Sequence, residues 1–271
     1  MKMLIRHETL YRYESPARYC IQYLRLTPRA DAGQRIVDWH LDMPGRSWRQ
    51  LDAFGNVVHV MSVHARYDSL KILARGSVET MLEPGAPIAE LSALPLECFL
   101  VPTRLTTPDA TIVELAGMLN GATDTMQAVL RLMEQIRARV RYETGSTDVD
   151  HTAAESLAQG SGVCQDHAHI LVSCARAAGL PARYVSGYID AGDVSHVSSH
   201  AWADVWIAQR GWVSFDATHG APADAAYCRL AVGRDYLDAS PVRGMRQGGV
   251  GESLRVGVAV GAVSSAAERQ Q

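Results

Sequence analysis

Cysteine is scarce in this chain: Cys20, Cys98, Cys164, Cys174 and Cys228 are the only five in 271 residues. Their odd number, wide spacing and lack of a Cys-x-x-Cys pair argue against a disulfide framework, so each is judged as a separate thiol. Long apolar runs are missing too. No segment approaches the roughly 18 consecutive apolar residues of a membrane-spanning helix. Within the first ten residues Lys2, Arg6, His7 and Glu8 interrupt any signal-peptide core. The expectation is a cytoplasmic protein without membrane contact. Nor is there an excess of one charge: 26 Lys and Arg stand against 29 Asp and Glu, a net of −3. No global field recruits nucleic acid, and the substrate must be read by a local site.

What is present is the composition of a globular protein, 47% hydrophobic and 20% charged, at a length that suggests two domains. Residues 4–13, 22–26, 57–63 and 70–78 read as short strands, punctuated by Pro16, Pro28, Pro44-Gly45 and Gly55-Asn56. They predict an antiparallel sandwich-like unit over residues 1–105, with a hairpin turn at 52–56. Pro84, Pro87, Pro95, Pro102 and Pro108 mark a connector that reads as a packed strap and closes this unit.

Residues 106–260 read as the second domain. Met126, Val129, Leu130, Met133, Ile136 and Val140 recur at helical steps behind Thr123-Asp124, which predicts a helix over 124–141. Thr152 and Glu155 have capping-box spacing and open a short helix that Gly160 stops. Cys164, Ala168, Leu171, Val172, Ala175 and Ala178 describe a third helix, ended by Gly179 and Pro181. Strands are predicted at 182–189, 201–207 and 212–216. The tail, 261–271, has little to bury and is expected to be mobile.

Six of the ten histidines, His151, His167, His169, His196, His200 and His219, fall between 151 and 219, in the same window as Cys164, Asp204 and Asp216. Cys164 follows a glycine-containing loop and begins a helix, where unpaired amides favour an anion; helix starts can pull a thiol below its free pKa of about 8.5. The other four cysteines read as small buried hydrophobes. A nucleophilic thiol needs a base and a group to orient that base. His200 opens one predicted strand and Asp216 closes the next. A five-residue connection from Ile207 to Gly211 puts the two on one face in diagonal positions. Trp202 and Trp206 share the His200 face and are assigned to core packing against a helix. Zinc is the competing chemistry for Cys164, His167, His169, His196 and His200. Residues 167 and 169, however, point about 200° apart on a helix, so no metal site is expected.

Gly162-Val-Cys-Gln-Asp-His-Ala-His169, Gly179-Leu-Pro-Ala-Arg-Tyr-Val-Ser-Gly-Tyr188, Ser199-His-Ala-Trp202 and Trp212-Val-Ser-Phe-Asp216 together resemble the core blocks of the bacterial transglutaminase-like superfamily. Tyr11-Arg-Tyr13, Leu24-Arg-Leu-Thr-Pro-Arg29 and Asp52-Ala-Phe-Gly-Asn56 resemble the β-rich region that precedes this core in one bacterial subgroup. Gly233-Arg-Asp-Tyr236 and Ser240-Pro-Val-Arg-Gly244 fit the same subgroup. The resemblance implies an α+β protein: a papain-like core, with the nucleophile helix on an antiparallel sheet, preceded by a β-sandwich-like domain. It makes Cys164 the nucleophile, His200 the general base and then acid, and Asp216 the orienting carboxylate. One departure is His167, where members commonly carry a bulky aromatic; it places a second imidazole on the Cys164 face of the helix.

For the oxyanion hole the Cys164 amide is the first candidate, with Gln159 or Tyr142 as a side-chain donor. The expected reaction is attack on a peptide or protein amide to give a thioester, resolved by water, with no cofactor. Transfer to an amine is the alternative, and a non-catalytic binding module that keeps the triad is a third reading.

Overall fold

The computed structural model describes residues 1–30, 33–190, 192 and 199–262. Five strands come first: β1 (Lys2–Leu24), β2 (Gln34–Asp42), β3 (Arg46–Leu51), β4 (Val57–Val63) and β5 (Tyr67–Thr80). Helices α1 (Ala110–Ala116) and α2 (Thr125–Arg139) follow, then β6 (Arg141–Tyr142), α3 (Ala153–Gln159), β7 (Ser161–Gly162) and α4 (Cys164–Ala177). The chain continues through β8 (Ala182–Ile189), β9 (His200–Ile207), β10 (Gly211–Asp216), β11 (Ala221–Pro222) and β12 (Tyr227–Gly233). It ends in α5 (Tyr236–Ala239), β13 (Val242–Gly248) and β14 (Glu252–Ala262).

The predicted runs 4–13 and 22–26 are two halves of one long strand, β1. Met3, Ile5, His7 and Thr9 turn inward while Leu4 and Arg6 face solvent, the period of two expected of a half-buried strand. Near Pro16, which has no N–H to offer a ladder, the register with β5 breaks between Arg12 and Ala17. The first half of β1 lies between β5 and β14, and the second between β4 and β13. Cys20, Leu24 and Met61 share a core with Leu70, Ile72 and Ala74, so the halves pack on one another in sandwich fashion.

Residues 242–262 therefore lie in the first sheet, although the sequence places everything from 106 to 260 in the second domain. β14 is almost wholly exposed and alternates valine with glycine and alanine, a pattern that names a strand without naming its partner. Residues 261 and 262 of the expected mobile tail are the end of this strand. The rest, 263–271, falls outside the described residues.

The second sheet runs β11-β10-β9-β8-β12 and is antiparallel throughout. α4 packs on β8 and β9, and one core joins Leu132, Met133 and Ile136 of α2, Leu171 and Ala175 of α4, and Val205, Val213 and Phe215 of the sheet. Asp124 caps α2 through the Gln127 amide, and Thr152 and Glu155 make both bonds of the capping box on α3. α1 escapes sequence periodicity because it has only seven residues, but Asp109 caps it through the Ile112 amide at 2.8 Å.

β12 is an edge strand, and the first domain completes it. Gln34 donates Nε2 to Arg229 O at 2.9 Å and accepts from Arg229 N at 2.8 Å. Asn56 does the same at Val232, at 2.7 and 2.9 Å. Asn56 is presented by the predicted 52–56 turn, in which Asp52 Oδ1 accepts from the amides of residues 54 and 56 and Gly55 takes φ +75°. The proline-rich strap packs as well: Ile88 N donates to Trp212 O at 2.8 Å, and Glu90 accepts from Trp212 Nε1 and Arg183 Nη1. Among the described residues no helix is long and apolar enough to cross a membrane.

Candidate active site

β7 pairs in parallel with β6, so the chain enters α4 beside Tyr142. Asp166, in the first turn of α4, fixes this entry. Its Oδ2 accepts from Val163 N at 2.7 Å and Thr147 Oγ1 at 2.6 Å, and its Oδ1 from Ser156 Oγ at 2.7 Å. A Cβ at Gly162 would lie 2.8 Å from Asp166 Cβ, so this approach requires glycine. Cys164 is the first residue of α4 and partly exposed, and its amide is one of the first-turn donors that have no intrahelical acceptor.

The β9–β10 hairpin has the expected register: Ile207 faces Gly211, and Ser214 faces Asp204. His200 and Asp216 thus share a face one diagonal step apart, and His200 Nε2 meets Asp216 Oδ2 at 2.7 Å. With Nε2 committed to the carboxylate, Nδ1 is the ring nitrogen left for the thiol. Burial alone would lower the pKa of His200, but its hydrogen bonds to Asp216 and to the Cys164 side chain raise it to about 10.

Asp216 is the hub. Its Oδ2 also accepts from His219 Nδ1 at 2.6 Å and from the Tyr227 hydroxyl at 2.8 Å, and its Oδ1 from the amides of Thr218 and His219 at 2.8 and 3.2 Å. Burial would raise its pKa, yet the bonds from His200 and His219 hold it well below the usual carboxylate range. Neither His219 nor Tyr227 was assigned a role from sequence. The spacing of His219, three residues after Asp216, is the one signal that could have marked it.

His167 is not among the residues that line the cavity of Cys164 and His200. Its Nε2 donates to Val140 O at 3.0 Å, and its Nδ1 accepts from Thr218 Oγ1 at 3.1 Å, which ties α4 to the turn behind Asp216. Burial lowers its pKa, so the ring is a neutral brace. His169 is fully buried, with Nε2 accepting from Tyr236 N. The zinc set considered from sequence therefore does not converge, and His196 lies outside the described residues. His200, Asp216 and His219 do bring three ligand atoms within 4.8 Å of one another. Both ring nitrogens are hydrogen-bonded to the same carboxylate oxygen, so this cluster is closed on itself.

A cavity of about 360 Å³ opens at Cys164 and His200, walled by Tyr142, Val149, Gln165, Tyr184 and Tyr236. Tyr142 lines the same cavity as Cys164. Gln159 does not: its Nε2 is donated to Ser146 O and Ser161 Oγ. Trp202 and Trp206 belong to the core, as expected, but they pack beneath the strap with Ile88 and Phe99 rather than against a helix. The odd-numbered residues 203 and 205 face the helices instead. A larger concavity, about 600 Å³, lies on the first domain by Arg6, Asp38, His40 and Arg75, and none of Cys164, His200 and Asp216 lines it.

A family model of the transglutaminase-like superfamily matches residues 114–217, and one of the bacterial transglutaminase-like N-terminal region matches residues 3–79. An uncharacterised protein of Mycobacterium leprae is 32% identical over 263 residues, 91% of this chain and 94% of that protein. The protein-glutamine gamma-glutamyltransferase of Pseudomonas aeruginosa is 31% identical over 119 residues, 40% of this chain and 17% of that protein. Among solved structures, a protein of Cytophaga hutchinsonii provisionally assigned as a cysteine protease aligns with a TM-score of 0.78 at 22% identity, over 98% of this chain and 91% of that one.

Proposed function

The chain belongs to the transglutaminase-like superfamily, and on that footing we propose that it is a cysteine-dependent amide hydrolase with Cys164, His200 and Asp216 as its triad. The observation that carries the reading is the position of His200. It is bonded at 2.7 Å to Asp216 on one side and to the Cys164 side chain on the other, at the floor of a cavity.

In the reaction, His200 takes the proton of Cys164 and the thiolate attacks the amide carbonyl carbon. The oxyanion that forms is met by the Cys164 amide and the Tyr142 hydroxyl. His200 gives its proton to the leaving nitrogen, the C–N bond breaks, and a thioester remains. His200 then takes a proton from water, whose oxygen attacks the thioester; the C–S bond breaks to release the acid, and His200 returns the proton to the sulfur. Asp216 keeps the imidazole oriented and stabilises its charge.

Hydrolysis is favoured over amine transfer by the walls. Tyr142 and Val149 are 47% and 49% exposed, so water has direct access to the thioester. Transfer is the reading that likeness to the Pseudomonas glutamyltransferase supports. The five cysteines are all free, which fits a reducing, cytoplasmic setting. The test is partition of the acyl group. The protein is incubated with a panel of peptide and isopeptide amides and a millimolar primary amine, and products are read by mass spectrometry. Free acid, abolished by Cys164→Ala, is expected. Mostly amine adduct would assign transfer, and no product with equal alkylation of all five thiols would assign a binding module.

A further inference from the structure

The cavity of Cys164 does not end within the catalytic domain. Ser199, Tyr236 and Pro241 line it, and the same three residues line a second chamber of about 140 Å³. The far wall of that chamber is supplied by the first domain. His7, Thr9 and Tyr11 are alternate residues on one face of β1, and the ladder with β14 sets Val256 opposite Thr9 and Leu254 opposite Tyr11. The two spaces are rooms of one cleft that crosses the domain junction.

The chemistry of the second room is narrow. His7 Nδ1 is bonded to the Tyr188 hydroxyl at 2.8 Å and its Nε2 to Thr9 Oγ1 at 3.2 Å, so these two polar side chains of the wall already have partners within the protein. Burial lowers the His7 pKa to about 4, which leaves the ring neutral. Tyr11, Val242, Leu254 and Val256 supply the rest of the wall. Leu254 and Val256 are 54% and 49% exposed, an apolar rim on the cleft. Among the described residues no Asp, Glu, Lys or Arg lines the second room. A charged substrate side chain would lose water there and find no partner.

We infer that the β1/β14 face is the second wall of the substrate cleft and that its chamber takes the uncharged, apolar side chain of the residue preceding the one that carries the scissile carbonyl; this rests on the amide-hydrolase reading above. The first domain is thereby a specificity element of the active site. The probes are N-acetyl-Xaa-glycine chloromethyl ketones with Xaa as Leu, Phe, Asp or Lys. Alkylation rates at Cys164 are followed by intact mass, and each is divided by the same protein's iodoacetamide rate.

Leu and Phe probes are expected to react at least tenfold faster than Asp and Lys probes. Val256→Asp should erase the preference for Leu over Lys, and Leu254→Lys should erase that for Leu over Asp. Four rates within twofold, or ratios unchanged in both variants, would overturn the inference. If iodoacetamide fails to single out Cys164, the proposed chemistry fails and the chamber is judged alone, by ligand-observed NMR of acetyl-Leu-Gly-amide and acetyl-Lys-Gly-amide. Saturation transfer to the Leu peptide only, lost in Val256→Asp, upholds it; any other pattern overturns it.

Discussion

Nδ1 of His219 lies 2.6 Å from Oδ2 of Asp216, the same oxygen that Nε2 of His200 meets at 2.7 Å. One carboxylate oxygen thus serves a buried imidazole on the cleft side and a half-exposed one on the solvent side. His219 touches no reacting atom, and its effect passes through the orientation of Asp216. His219→Ala should lower kcat by about tenfold, the kinetic equivalent of one hydrogen bond to a charged group, and leave KM unchanged. His219→Gln, which keeps a donor, should restore most of it. A merely structural role would show equal loss of thermal stability in both variants and no split between kcat and KM.

The pH dependence has a definite sign. The folded pKa of His200 is raised from 6.5 to about 10, so the stability it contributes is fully present below pH 6.5 and is lost as pH rises through about 10. Asp216 is held low, so its contribution is present above its ordinary 3.8 and disappears only as pH falls. Thermal denaturation from pH 7 to 10 should therefore show a steeper fall for the native protein than for Asp216→Asn. The alkaline limb of kcat/KM should move down towards the ordinary histidine range in that variant.

Domain docking depends on side-chain amides standing in for a missing strand. Asn56 occupies both backbone groups of Val232 and also accepts from Arg29 Nη1 at 2.6 Å. Asn56→Ala leaves buried polar groups without partners and should cost about 2–4 kcal/mol in denaturant unfolding. Asn56→Asp, which sets an oxygen against Val232 O, should cost at least as much.

The meeting of Cys164, His200 and Asp216 was legible in the sequence because each sits at the end of an element whose limits are written locally: Cys164 behind Gly162, and His200 and Asp216 at the two ends of a hairpin whose loop length fixes its register. Periodicity states which face a residue occupies, not which element covers that face. Hence the Trp202 face was read correctly as core but assigned the wrong cover, and the return of β13 and β14 to β1 left no trace in their exposed, glycine-spaced pattern. Tyr227 and Gln159 show the same limit at the scale of one side chain: hydrogen-bond partners distant in sequence follow only from the fold.

The strap offers the last prediction. Arg183 is fully buried, with its guanidinium carbon 4.2 Å from the Trp212 ring centroid, and it bonds to Asp204 at 2.8 Å and Glu90 at 2.7 Å. Arg229 also bonds to Asp204, at 2.6 Å, so two cations are balanced by two carboxylates, one of which arrives on the strap. Burial would raise the pKa of Glu90, but Arg183 and its hydrogen bonds hold it below the usual value. Its contribution is therefore present above pH 4.5 and fades as pH falls. Glu90→Gln leaves one buried positive charge uncompensated while keeping an acceptor for Trp212. It should cost about 3 kcal/mol, the scale for breaking one partner out of a buried pair. Because Ile88 and Glu90 pin the strap, the same variant should also be cut faster by a non-specific protease between residues 83 and 95. Unchanged proteolysis together with full loss of stability would mean that Glu90 serves charge balance alone and that Ile88 and Phe99 hold the strap in place without it.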